Sequence, residues 1–364
     1  MACEKNLRFV VFFLAAMLNL QLCVYGHGNS QVPCLFIFGD SLSDSGNNNN
    51  LRTDARVNYY PYGIDFPAGP TGRFTNGRTV IDIITQLLGF EKFIPPFRDT
   101  SGSDILQGVN YASGAAGIRN ESGTHMGPDI CWEQQLSNHK AIISKIAKKL
   151  GGNDKAQQHL NKCLYYVNIG SNDYINNYFM PEHYSSSRTY TPSQYAQVLR
   201  RQYSKQIKAL HKTGARKFAL TGLSLVGCIP RQIELHGRKG SSKCVEEENE
   251  AVVIFNDNIK SLVDQFNNDL SLKNAKFIYI NNALISSDNP LLPGMRSITA
   301  KCCEVGDNGQ CVPDKKPCVH RNLHLFWDSF HPTEIANQIL AKLAFRASFP
   351  SITHPMDISS LAKL

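Results

Sequence analysis

Past its N-terminal leader, this chain of 364 residues has no segment long and apolar enough to cross a bilayer, which excludes a protein built on spanning helices. No basic stripe is interleaved with aromatic residues, so nucleic acid is not an expected partner. There are 11 cysteines but no pair of Cys-x-x-Cys knuckles. That counts against a zinc site built from Cys302, Cys303, Cys311 and Cys318 with His320 or His324, and no metal or cofactor is expected. No internal repeat or linker divides the chain, and Asn47 to Asn50 form a turn rather than a low-complexity tract. Charged residues make up 19% and hydrophobic residues 42%, which excludes global disorder and allows a sizeable core. A single domain over residues 27–364 is the simplest reading.

The first residues do carry a pattern. Lys5 and Arg8 precede an apolar stretch, Phe9 to Leu18, that continues through Leu20, Leu22 and Val24 to the small residues Gly26 and Gly28. Asn19 and Gln21 interrupt it, and it is short for a membrane anchor. Residues 1–26 therefore read as a signal peptide, with Val24 and Gly26 before the cut and His27 after it. A secreted, extracellular protein is expected. Nine cysteines remain after loss of Cys3 and Cys23, and in that compartment they read as disulfides. Cys228 and Cys244 bracket the polar loop Arg231 to Lys243 and form a reasonable bridge. The odd count leaves at least one free thiol or an intermolecular bond. Asn120-Glu121-Ser122 is a glycosylation sequon. The formal charge is +8, and the cluster Lys145 to Lys149 reads as a solvated helix face. A basic secreted protein can adhere weakly to acidic polysaccharide.

Apolar runs alternate with helical patterns. Leu35 to Phe38, Val109 to Ala112, Cys163 to Ile169, Lys217 to Thr221 and Ala275 to Ile280 read as five strands. Tyr195, Val198, Leu199, Ile207 and Leu210 recur at helical spacing, as do Val252, Phe255, Ile259, Leu262, Val263 and Phe266. Ile335, Ile339, Leu340 and Leu343 suit a last helix. Strands separated by helices imply an α/β protein with a parallel sheet covered on both faces.

The chemistry concentrates in two places. Phe38-Gly39-Asp40-Ser41-Leu42-Ser43-Asp44-Ser45-Gly46-Asn47 sets a serine where the first strand ends, at the edge where an α/β sheet presents its reactive groups. Trp327-Asp328-Ser329-Phe330-His331-Pro332 sets a carboxylate three residues before an imidazole. Serine becomes a nucleophile only when a base takes its proton, and the base needs an orienting partner. Ser41, His331 and Asp328 supply the three parts. Acyl transfer also needs donors for the oxyanion. The turn Ala112 to Gly117 follows the second strand, and Gly170-Ser171-Asn172-Asp173 follows the third, with Asn172 offering a side-chain donor. Asp173 reads as a helix cap. The aromatic stretch Tyr59-Tyr60-Pro61-Tyr62 reads as packing rather than as the lining of an acyl groove.

Taken together, these blocks resemble those of the GDSL-type subgroup of SGNH hydrolases: Phe38 to Leu42, the turn at Gly114, Gly170 to Asp173, and Asp328 to Pro332. Tyr60 to Pro67, Gly69 to Phe74 and Phe326 to Thr333 are similar to the plant branch of that family. The resemblance spans roughly Cys34 to Phe345. It implies a three-layer α/β/α sandwich of flavodoxin-like type with a mainly parallel five-stranded sheet. It implies Ser41 as nucleophile, Asp328 and His331 as its partners, and Ser41 N–H, Gly114 N–H and the Asn172 side chain as oxyanion donors. Ala115 stands where many relatives have a second glycine. The Gly-x-Ser-x-Gly elbow of α/β-hydrolases is absent.

The reading is a secreted serine esterase or lipase, located in the apoplast or cell wall, with an ester of lipid, acylated glycan or small metabolite as substrate. An acyltransferase would use the same residues with a hydroxyl acceptor in place of water. A non-catalytic lipid- or glycan-binding protein would leave the intact set unexplained. No stable membrane insertion is expected, and acidic cell-wall polysaccharide is a possible weak partner.

Overall fold

The strands form where β-branched and aromatic residues run together between turns. Leu35–Gly39 (β1), Gly108–Asn110 (β2), Leu164–Asn168 (β3), Lys217–Thr221 (β4) and Lys276–Ile280 (β5) lie in one sheet with Thr353–His354 (β8). Ser297–Lys301 (β6) and His324–Phe326 (β7) pair in a second, smaller one. This computed structural model describes residues 30–100, 104–284 and 297–364. The leader expected over residues 1–26 lies outside them.

The main sheet has the order β2-β1-β3-β4-β5-β8. Its first five strands are parallel, in the places expected. The sixth is an addition: β8 pairs antiparallel with Tyr279 and Ile280 at the edge. Two residues are too few to leave a periodic signal. β2 also ends earlier than its apolar run, because the Asn110 side chain takes the Ala112 N–H (3.0 Å) and donates to Ser43 O (2.7 Å).

Alternation along the strands sorts side chains onto two faces. Phe36, Phe38, Tyr165, Val167, Phe218 and Leu220 point one way. They pack under Trp132–Leu150 (α2), Pro192–Lys212 (α4) and Glu246–Asn268 (α5). Leu35, Ile37, Leu164, Tyr166, Ala219 and Ile278 point the other way, under Val80–Leu87 (α1), Glu334–Phe345 (α6) and Ile358–Ala362 (α7). A shorter helix, Asn153–Leu160 (α3), precedes β3. Every residue of β1 and β3 is buried, as a parallel sheet covered on both sides requires. The result is the three-layer α/β/α sandwich. Among the described residues no helix is long and apolar enough to cross a membrane.

Helix termini follow local chemistry. α4 starts with a capping box, Thr191 with Gln194, and proline in its first turn. α1 starts with Thr79 and Asp82. α6 stands where a last helix is expected and buries two faces. Ala341, Ala344 and Phe345 meet the sheet, whereas Ile339, Leu340 and Leu343 join a separate cluster with Ile229, Leu325 and Phe326.

Four disulfides hold the loops: Cys34–Cys163, Cys228–Cys244, Cys302–Cys318 and Cys303–Cys311. The four C-terminal sulfurs considered for zinc are thus bonded in two pairs, and among the described residues Cys131 is a free thiol. One buried ion pair ties the loop before α1 to that helix: Arg73 reaches both oxygens of Asp82 at 2.7 and 2.8 Å. Asp82→Ala removes the carboxylate half of the capping box and strands the guanidinium, so a loss of about 3–5 kcal/mol is expected in urea unfolding. A loss below about 1 kcal/mol would contradict this role.

Candidate active site

β1 and β3 are neighbours in the sheet, and the order reverses between them, which opens a crevice at their carboxyl ends. Gly39 lets the strands close there. A Cβ on it would stand 2.4 Å from Asn168 O. Gln135 of α2 pins the same residue, accepting from Gly39 N and donating to Gly39 O (3.0 and 2.8 Å). Asp40 O accepts from Ser43 N and Asp44 N, and this turn lifts Ser41 out of the strand, half-buried.

The other half comes from the loop after β7. Trp327 N donates to His331 O at 2.7 Å and Thr333 N to Leu325 O at 2.9 Å, which folds residues 327–332 into a tight hairpin. At its tip Asp328 Oδ1 accepts from Phe330 N (2.8 Å) and His331 N (2.7 Å). His331 Nδ1 lies 2.8 Å from Asp328 Oδ2, and His331 Nε2 lies 2.8 Å from Ser41 Oγ. A carboxylate only accepts, so Nδ1 carries the proton in neutral imidazole and Nε2 faces the serine as acceptor. The two sequence blocks, 290 positions apart, meet within hydrogen-bond reach.

Asn172 lines the same cavity as Ser41. Its Nδ2 donates to Ala116 O (3.0 Å), and its Oδ1 accepts from Asn176 (2.7 Å). The amide is thereby oriented, with a second N–H still to place. Among the described residues the Ser41 N–H has no protein acceptor. Gly114 is different. Its N–H donates to Asp44 Oδ2 at 3.0 Å, so its one hydrogen is already engaged. The glycine is needed for space: a Cβ would stand 2.6 Å from Phe74, whose ring lies 4.9 Å from that of His331. Asp173 does not cap its own helix. Its carboxylate takes the N–H groups of Ile118 (2.7 Å) and Arg119 (2.9 Å) and the Ser122 hydroxyl (2.8 Å), and so anchors the turn behind Asn172. Asn120 is exposed and donates to Glu133.

The model of the family described as GDSL-like lipase/acylhydrolase matches residues 35–344. The chain belongs to that family. It is 51% identical over 347 residues to the GDSL esterase/lipase At1g29670 of Arabidopsis thaliana, covering 94% of each chain. The GDSL esterase/lipases At4g18970 and At5g45670 of the same plant are 48% and 46% identical, over 93% and 98% of this chain and 94% and 99% of theirs. Lipases and acylhydrolases cleave ester bonds, and this GDSL-family chain is accordingly a hydrolase of ester substrates.

The structure adds residues that the sequence did not mark. Tyr62 is fully buried, and its hydroxyl donates to Asp328 Oδ2 at 2.6 Å while accepting from Cys311 N at 3.1 Å. The packing reading of the Tyr59–Tyr62 stretch holds for the ring but misses the hydroxyl. Burial raises the Tyr62 pKa far above its ordinary value, so the group stays a donor. Only its place in the Tyr60 to Pro67 block hinted at a role. Asp44 gathers Gly46 N, Asn47 N and Gly114 N, which joins the first and second blocks.

Tyr62→Phe should lower kcat roughly tenfold on a p-nitrophenyl ester with KM nearly unchanged, because a hydrogen bond to a buried carboxylate is lost. An unchanged kcat would remove Tyr62 from the positioning role. The cavity also holds a proton-sensitive group. Burial pushes Asp40 up to about 7, partly offset by the Leu42 N–H. A carboxyl raised in the folded state stabilises below its unfolded pKa and loses that contribution as pH rises through the folded value. His139, buried and pushed down to about 3, acts in the opposite sense only below the ordinary histidine range. Asp129, pushed up to about 7 by burial, acts in the same sense as Asp40, so substitution of Asp40 isolates its share. Asp40→Asn should therefore make the decline in Tm between about pH 6.5 and 8 shallower, by about 1 kcal/mol in stability. Identical declines in the two proteins would contradict it.

Proposed function

We propose that the protein is a secreted serine esterase that works through an acyl-enzyme on Ser41. The observation that carries the reading is the unbroken relay from Asp328 through His331 to Ser41, with contacts of 2.8 Å on both sides of the ring. Ser41 Oγ attacks the ester carbonyl as His331 Nε2 takes its proton. The C–O bond to the alcohol breaks, and His331 returns the proton to the departing alkoxide. Water then enters and gives a proton to the same nitrogen as its oxygen bonds to the acyl carbon; the bond to Ser41 Oγ breaks, and His331 returns that proton to Oγ as the acid leaves. The oxyanion is held by Ser41 N–H and the free Asn172 N–H. Gly114, the third donor implied by the family resemblance, is assigned instead to tying the turn to Asp44 and leaving room for Phe74.

The cavity beside Ser41 suits an apolar acyl group. Leu42, Val226, Ile229, Leu325, Phe326 and Leu340 line it. Four disulfides support an oxidising, extracellular location. With them go cleavage after Gly26, one folded unit from His27 onward, and a glycan on the exposed Asn120.

Asn172→Ala should fold with an unchanged circular dichroism spectrum and lose about 10²–10³ in kcat on p-nitrophenyl butyrate. Turnover at the unmutated rate would refute the assignment.

A further inference from the structure

Charge is segregated on this molecule. α2 carries Lys140, Lys145, Lys148 and Lys149 against Glu133. α4 carries Arg200, Arg201, Lys205, Lys208 and Lys212 and no carboxylate. Nine basic residues against one acid give +8, which equals the net charge of the entire chain. The remainder of the chain is neutral on balance.

The two helices lie on the same face of the sheet, and a cleft of about 790 Å³ runs between them. Arg119, Lys140, Arg201 and Lys205 line it, with Glu133 as its one carboxylate. Arg119 is paired with Glu121 at 2.7 Å, and Glu133 is held by Asn120. Among the described residues, Lys140, Arg201 and Lys205 make no ion pair, and all three are exposed. Gln206 also lines the cleft. It is 6% exposed, and its Oε1 has no hydrogen-bond partner.

We propose that this cleft binds an acidic polysaccharide, a chain of uronic acid units. The three unpaired cations call for anions. A uronate unit offers a carboxylate and hydroxyls side by side. An anionic membrane fits less well, because among the described residues no large exposed apolar side chain lies on α2 or α4. The cleft is separate from the residues around Ser41, so the proposal is independent of the ester-hydrolysis reading.

The test is affinity electrophoresis of the mature protein in gels containing polygalacturonate or neutral dextran, with co-sedimentation on phosphatidylserine vesicles alongside. Polygalacturonate should retard the protein, dextran should not, and vesicles should bind more weakly. The variant K140E/R201E/K205E should lose on the order of tenfold in apparent affinity while its p-nitrophenyl ester turnover stays unchanged. The variant K145E/K148E/K149E makes the same change in net charge outside the cleft and should keep most of the binding. Unchanged ester turnover in both variants confirms that they fold. Absence of retardation, equal loss in the two variants, or tighter binding to vesicles than to polygalacturonate would each overturn the proposal.

Discussion

The Asp328 carboxylate is fully buried, and burying one is tolerable only when protein donors replace the water it gives up. Here the donors come from three directions. Phe330 N and His331 N require the tight hairpin after β7. The His331 ring requires the imidazole to stand upright toward Ser41. The Tyr62 hydroxyl requires a loop from the far end of the chain to fold over the site, and that hydroxyl in turn accepts from Cys311 N, next to the Cys303–Cys311 bridge. A disulfide-bonded loop, a tyrosine and a histidine are thus fixed by one group. Weakening it would loosen the base before it loosened the fold.

The sheet supplies the other fixed point. Ser41 and Asn172 follow β1 and β3, the pair at which strand order reverses. Their distance from each other is therefore set by strand spacing rather than by loop conformation. Gly39 and Gln135 hold the end of β1, Asp44 ties its turn to Gly114, and Asp173 ties the turn behind Asn172. The carboxylates that hold these turns are buried with backbone N–H groups as partners, and burial still pushes both Asp44 and Asp173 up to about 6. They act as anchors, and in the proposed mechanism the proton relay falls to Asp328 and His331.

Much of this was legible in the sequence because it is local. A buried strand leading into Asp40–Ser41, or a carboxylate and imidazole three apart before a proline, needs only a few consecutive residues to read. The five parallel strands were legible for the same reason. What escaped depends on partners far away in the chain. Nothing in Tyr59-Tyr60-Pro61-Tyr62 says that one hydroxyl of the group meets a residue 266 positions on. Nothing around Gly114 says that its N–H is taken by Asp44, or around Asp173 that its oxygens serve residues 118 and 119. On α6 the apolar spacing was correct, but that face turns to the cavity cluster, and the small residues between face the sheet. Periodicity reports that a face is buried and leaves open what buries it.

The central claim is that Ser41 is the atom that bonds to the acyl carbon. Peptide mass mapping after reaction with a p-nitrophenyl alkylphosphonate tests it most directly. The account predicts one adduct per chain, on the peptide containing Ser41, and none at the same exposure time in the variant Asp328→Asn, which lacks the carboxylate partner of His331. An adduct on any other serine, or a stoichiometric adduct that forms at the same rate in that variant, would contradict it.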